Sequence, residues 1–362
     1  MKKVIIATGA LKPALNILGH AVNKKHVLPI LNNLLCRVKG NELEAIASNT
    51  EVTIHHKIPV EAAADFEFLM PFDFIKKVVD INKNCPLEIE SAAKLKIKGP
   101  TDTYDIKVPD RIEDWPVLQN VGTENSIELD SDILYCLKTA VITAQPLDAH
   151  PKLSHVLLEL EPGKVVIASA DGTWCVFSKE FSVDHKHEKE ELLLSQRLIK
   201  VLDGIESASL TFNNEVIRFA TDKITVYNTR STERYVNFRS VFSLGAEPNL
   251  TISKSVLQDA LLRCSLAQDD LHAANITLKK TGTIKLSASD HMVKINVDAQ
   301  ADYTCEVDRA AINTDKCMRM LSQISGQEIQ FCIVDARRGF VVLDKDEPGY
   351  KGYLMPISFS NE

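Results

Sequence analysis

Apolar and polar positions alternate along this chain with two distinct periods. Between residues 10 and 22, Leu11, Leu15 and Leu18 recur about one turn apart, which predicts a helix with one apolar face. Residues 42–47 and 53–60 are short apolar runs bounded by turn residues such as Gly40-Asn41, which predicts strands. In the run from His26 to Leu35 a proline stands inside an otherwise apolar stretch. Pro29 lacks a backbone N–H and suits the first position of a strand, so the pattern predicts a buried strand over residues 30–38. Residues 67–70, a helix over 72–83 and a meander over 87–108 complete this stretch.

The same order returns twice. A strand at 126–129 leads to a helix over 131–144, with Ser131 as its expected N-cap, then a polar loop and strands over 153–160, 164–169 and 175–183. A second helix over 195–205 and a closing meander follow. Then a helix over 253–265, a polar loop, three strands, a helix over 313–324 and three final strands end the chain. The leading helices start near residues 10, 131 and 253, steps of 121 and 122 residues. That spacing is too long for a solenoid unit and fits three domains of like fold: 1–122, 123–245 and 246–362. Each holds two halves of helix followed by strands, so the expected class is α+β, with helices on one side of antiparallel sheets.

Composition narrows the possibilities. The 362 residues suffice for two or three cores, and 45% apolar with 25% charged residues is ordinary for a soluble globular protein. No apolar run approaches the roughly 20 residues that span a bilayer, and the apolar start, Val4 to Ala7, is too short for a secretory signal. A cytoplasmic protein is expected. None of the eight cysteines forms a C-x-x-C pair, and most lie in apolar segments, as buried reduced thiols do. The net charge of −7 argues against a protein that coats nucleic acid with positive charge. Yet five of the six helix windows carry net +1 and the sixth is neutral. Lysine and arginine are good helix formers on any solvated face. Their concentration on one kind of element in an acidic chain also suits helices that face a polyanion.

Several motifs resemble a known family. Leu28-Pro29-Ile30-Leu31-Asn32-Asn33-Leu34-Leu35, Ala170-Asp171-Gly172 after a strand, and Tyr353-Leu354-Met355-Pro356-Ile357 near the end resemble the bacterial sliding clamp, the beta subunit of DNA polymerase III. The resemblance covers essentially the whole chain. It implies a head-to-tail homodimer whose six clamp domains close into a ring around duplex DNA, with helices lining the hole and no reading of base sequence. It implies no catalysis and no cofactor, only a processivity role within the polymerase holoenzyme. It also implies a pocket shared by the replicative polymerase, the clamp loader, repair polymerases and mismatch-repair proteins. Carried over by position, that pocket is lined by Leu153, Ala170, Gly172, Thr173, Trp174, Cys175, Val236, Val241, Tyr353, Met355, Pro356 and Ile357. Trp174 and Thr173 stand where clamps commonly carry basic or imidazole side chains. The dimer contact maps to Tyr104, Ile106 and Leu266.

For DNA the candidates are Lys24, Lys25 and Lys152 in the loops after the leading helices, and Lys76, Arg197, Lys200, Arg263 and Arg319 on helices. Other constellations are weaker. His55-His56 point to opposite faces of a strand, and His185 and His187 share a face without a third ligand type, so no metal is expected. Asp148, His150 and His155 could form an acid–base set, but no nucleophile or phosphate loop accompanies them. The competing readings are a scaffold of clamp fold that forms no ring, and a ligand-binding enzyme.

Overall fold

The computed structural model describes residues 2–22, 28–108, 110–116, 121–122, 126–147, 149–150, 152–243, 247–267, 272–279 and 282–357. They gather into two compact units, Met1–Leu134 with Arg197–Ser231 and Tyr135–Gln196 with Thr232–Glu362. Among the described residues six α-helices form: α1 (Thr8–Leu18), α2 (Phe72–Ile81), α3 (Ser131–Ala140), α4 (Gln196–Val201), α5 (Lys254–Cys264) and α6 (Thr314–Leu321).

The first unit holds two antiparallel sheets. One has five strands in the order Glu61–Ala62, Lys3–Ala7, Pro86–Ser91, Leu95–Lys98 and Thr103–Ile106. The other has eight and runs across the boundary between the first two repeats, where Ile224–Thr229 pairs with Val52–Pro59 and places Val226 opposite Ile54. Helices α1 and α2 lie side by side, with Lys12 Nζ 2.8 Å from Asp80. The second unit repeats the plan. A nine-stranded sheet joins the second and third repeats through Cys175–Ser182 and Tyr350–Leu354, with Val176 opposite Tyr353. Phe177 and Tyr350 meet edge to face at 5.6 Å across that seam, both fully buried. A four-stranded sheet ends in Lys294–Gln300.

Four local expectations are corrected. Pro29 opens a 3-10 turn, Pro29–Asn32, and the strand begins only at Asn33. The Asn33 amide donates back to the Ile30 carbonyl and across to Asp110 Oδ2, both at 3.0 Å, and this stabilises the turn over an earlier strand. Leu31, Leu35 and Ile46 then pack around Trp115. At α3 the cap is Asp130, whose Oδ1 accepts from the N–H groups of Asp132 and Ile133, and not Ser131. The helix stops at Ala140, where Ile142 and Thr143 turn back onto the carbonyls of Thr139 and Ala140. Helix α4 is also shorter than its window, since Leu202 shares its N–H between Leu198 and Ile199 and Gly204 takes a φ of 80°.

Candidate partner pocket and nucleic-acid face

The residues expected to line a pocket all lie in the second unit, and the strands there bring them together. The strand Lys164–Ala170 ends at Asp171, and the next begins at Cys175. Between them Gly172 takes a φ of 80°, a conformation that L side chains avoid, and a Cβ there would lie 2.6 Å from Leu153 Cδ1. Glycine is therefore required for Leu153 to fold over this turn. Leu153 is in turn held by its carbonyl, which accepts from the Gln145 N–H at 2.8 Å. Pairing of Cys175 with Leu354 sets Trp174 beside the end of the last strand, and the Met355 N–H donates to the Trp174 carbonyl at 2.8 Å. Ile357 N–H reaches the Ala311 carbonyl, also at 2.8 Å.

The far side is the 3-10 turn Phe238–Phe242. It contacts the last strand, Tyr350–Leu354. Tyr235 and Phe238 bury themselves against Leu157, Val166, Ala168 and Leu193. Arg239 reaches the buried carboxylate of Glu159 and, at 3.3 Å, Glu161, so the segment carrying Val236 and Val241 is pinned by charge as well as packing. Leu153, Ala170, Cys175, Pro356 and Ile357 are buried, and Trp174, Val241, Tyr353 and Met355 are half-buried. Gly172, Thr173 and Val236 are exposed. Trp174, Tyr353 and Met355 thus leave an indole, a phenol ring and a flexible thioether partly exposed where the Gly172–Trp174 turn meets the end of the last strand. Such a surface takes apolar side chains.

One residue with a structural role here was read only as part of a motif. Asp171 accepts three backbone N–H groups on Oδ1, from Thr173 at 3.0 Å, Trp174 at 2.7 Å and Cys175 at 2.9 Å. Its Oδ2 receives Lys316 Nζ at 2.7 Å. Burial pushes this carboxyl upward, but Lys316 and the three N–H groups outweigh it and hold the group below the usual carboxylate range. Burial pushes the Cys175 and Cys317 thiols up to about 12, so neither supplies a thiolate near neutral pH.

The cationic candidates divide. Lys24 and Lys25 lie outside the described residues. In the first unit Lys76 on α2 and Lys200 on α4 are exposed, and they converge on His20 at the turn after α1. Burial first, then the charges of Lys200 and Lys76, hold that imidazole below its ordinary value. Helices from the first and second repeats thus contribute cations to one locality. Arg197 is ion-paired with Glu51 at 2.7 Å. In the second unit Lys152 lies 3.0 Å from Glu233, Arg263 lies 3.7 Å from Asp259, and Arg319 is exposed on the last turn of α6. Reversing Lys76 and Lys200 to glutamate is expected to weaken DNA retention at low salt. Each change should alter stability by under about 0.5 kcal/mol, which a thermal melt beside a DNA-binding titration would check.

Tyr104 and Ile106 lie half-buried on Thr103–Ile106, the edge strand of the five-stranded sheet. Tyr104 meets Phe74 edge to face at 5.4 Å and donates its hydroxyl to Asp102. Leu266, just past α5, is 76% exposed, and Leu262 one turn earlier is 60% exposed. The sequence reading passed over Leu262, although its spacing from Leu266 is the signal that pairs them. His150, a member of the possible acid–base set, accepts backbone N–H groups of Lys152 and Leu153 on Nδ1; its companion Asp148 lies outside the described residues. Among the described residues no group of three or more His, Cys, Asp or Glu side chains could hold a metal ion. No helix of the described residues is long and apolar enough to cross a membrane.

Comparison with known proteins agrees with this fold. Residues 2–106 match the family model described as the DNA polymerase III beta subunit, N-terminal domain. The beta sliding clamp of Pseudomonas aeruginosa is 19% identical over 361 residues, covering 96% of this chain and 97% of that protein. The beta sliding clamp of Rickettsia bellii is 20% identical over 342 residues, 90% and 86% of the two chains. The fold matches a putative DNA polymerase III beta subunit from Eubacterium rectale with a TM-score of 0.90 at 19% identity, over 99% of this chain and 100% of the other. It also matches a Pseudomonas aeruginosa sliding clamp bound to griselimycin, with a TM-score of 0.89 at 16% identity and the same coverage. The resemblance read in the sequence is borne out.

Proposed function

Similar from end to end to the beta sliding clamp, this protein is, we propose, itself a DNA sliding clamp: a homodimeric ring that encircles duplex DNA and tethers the replicative polymerase, without catalysis of its own. The observation that carries the proposal is the match in fold and alignment along nearly the whole chain to proteins of that name. The fold supports ring closure. Each long sheet runs continuously across a repeat boundary, whereas the two shorter sheets end in the strands Thr103–Ile106 and Lys294–Gln300. A strand edge of this kind is a template for another chain, and Tyr104 with Ile106 on one edge supplies apolar side chains for it. Head-to-tail joining of such edges, with Leu266 nearby, doubles three domains (1–122, 123–245 and 246–362) to six. A stable contact of this type buries upwards of about 1,000 Å².

DNA contact is by field and not by base. The cations of α2, α4, α5 and α6 face the phosphates, while the acidic remainder of the chain disfavours coating. The apolar pocket of the second unit receives the polymerase and, in competition, the clamp loader, repair polymerases and mismatch-repair proteins. The decisive experiment is topological. Protein loaded on a closed circular duplex should resist removal by high salt and leave once the circle is cut. Equal retention on cut and closed DNA would overturn the proposal, and a mass in solution of one chain at micromolar concentration would favour the scaffold instead.

A further inference from the structure

Asp171 anchors a turn of the second repeat, yet its strongest partner comes from the third. Lys316 lies in the first turn of α6, whose N-cap Asn313 accepts the Lys316 N–H on Oδ1 at 2.9 Å. From there the ammonium reaches Asp171 Oδ2 at 2.7 Å. The Asp171 side chain is 5% exposed and that of Lys316 28%. The Asp171 carbonyl is also taken, by Gln145 Nε2. Gln145 leads on to Gln196, which donates to the carbonyls of Gln145 at 2.6 Å and Ser154 at 2.8 Å. One carboxylate therefore does two separable jobs. Its Oδ1 shapes the turn from Thr173 to Cys175, and its Oδ2 ties that turn to α6.

The turn and α6 are joined by a second route. Trp174 holds Met355 through its carbonyl, and two residues later Ile357 is held by Ala311, on the strand Arg309–Asn313 that leads into α6. Ion pair and backbone route together form a closed circuit from Asp171 through α6 and the strand before it to Ile357, Met355 and back to Trp174. The orientation of Trp174 relative to Met355 is thus set at both ends. A site of this kind loses affinity when its supporting groups loosen, even with every contacting side chain in place.

We infer that Lys316 is a positioning residue of the partner pocket, acting through Asp171 to hold the Gly172–Trp174 wall against the last strand. The inference rests on the pocket reading above and deepens it. With Lys316 neutral, the three N–H bonds to Asp171 Oδ1 keep the turn folded, but its direct tie to α6 is lost and the longer backbone route through Met355 and Ile357 is left to hold it. The lysine therefore governs affinity for a bound segment more than the existence of the fold.

The test uses the full-length protein and a fluorescein-labelled hexapeptide ending in Leu and Phe, with binding read by anisotropy. The chain has two tryptophans, and Trp115 is buried in the first unit, so a Trp115→Phe background leaves Trp174 as the only indole reporter. Lys316→Met is expected to weaken the peptide about tenfold and to shift Trp174 emission, with Lys316→Arg restoring both. A merely structural lysine would lower the melting temperature and leave the affinity and emission of the folded protein unchanged, and that result overturns the inference. Should Lys316→Met fail to fold, Lys316→Gln is read by the same criteria. Met355→Ala separates the two readings. Loss of binding there with Lys316→Met unaffected refutes the positioning role alone; full binding by both variants refutes the pocket and the inference with it.

Discussion

Asp171→Ala should lower stability by about 2–4 kcal/mol, the largest loss expected from one substitution at the pocket. The substitution removes the acceptor of three N–H groups, and Cys175, which owns one of them, is buried. It also leaves Lys316 without its carboxylate. A fully buried ion left alone would cost about 3–5 kcal/mol, but Lys316 is 28% exposed and recovers part of its hydration, so the sum stays below that of two buried losses. Asp171→Asn, which keeps an amide oxygen for the N–H groups, should lose less than half as much. Urea midpoints for the three proteins would check the order. The pH dependence supplies a second test. Because the folded carboxyl is held below its ordinary value, its contribution is fully present above the unfolded value near about 3.9 and is lost as pH falls through the lower, folded value. The gap between parent and Asp171→Ala should therefore stay constant from pH 7 to about 5 and close only in stronger acid. A gap that closed near neutrality would mean another group carries the effect.

The elements of this fold were legible because they depend on local periods. Leu11, Leu15 and Leu18 all fall on the buried face of α1, and the six helices occur in the six windows where charge was counted. Errors came where two residues competed for one role. Asp130 and Ser131 can both cap a helix, and the aspartate takes the role because the preceding strand ends at Leu129. Pro29 can open a strand or a 3-10 turn, and the Asn33 side chain, reaching Ile30 and Asp110, selects the turn. Long-range pairing was beyond reach. Lys316 and Asp171 are 145 residues apart and meet only because Cys175–Ser182 zips onto Tyr350–Leu354, a pairing with no local signature. The net charge of a helix window is offset in the same way by partners far along the chain. Arg197 adds to the tally of its helix, yet Glu51, from the first repeat, takes its guanidinium at 2.7 Å. The field available to a phosphate backbone is thus smaller than the windows suggest, and an exposed lysine such as Lys76 or Lys200 contributes more of it than a paired arginine.

Met355→Ala should remove most of the affinity for partner segments, about 2 kcal/mol or more, or roughly thirtyfold. Met355 is the half-buried residue between the Trp174 carbonyl, which binds its N–H, and the buried pair Pro356 and Ile357. Its sulfur lies 3.7 Å from the Tyr353 hydroxyl. That aromatic ring fills the space over Gly339, where any side chain would strike it. The thioether can therefore repack against different occupants while its backbone stays fixed. Several partners can share such a site in turn. Truncation to alanine leaves the last strand paired and removes only the adaptable surface, so the solution mass should not change. Each apolar anchor of a bound segment contributes about 1.5–3 kcal/mol before the cost of ordering the segment, and loss of the wall it lies against forfeits much of one anchor. Anisotropy titration of the labelled hexapeptide against parent and variant measures the loss directly. Competition by an unlabelled polymerase tail and an unlabelled loader segment should displace it from the parent in the same concentration order as their own affinities. If both competitors bind the parent without displacing the hexapeptide, the partners use separate surfaces, and the shared pocket would have to be assigned to only one of them.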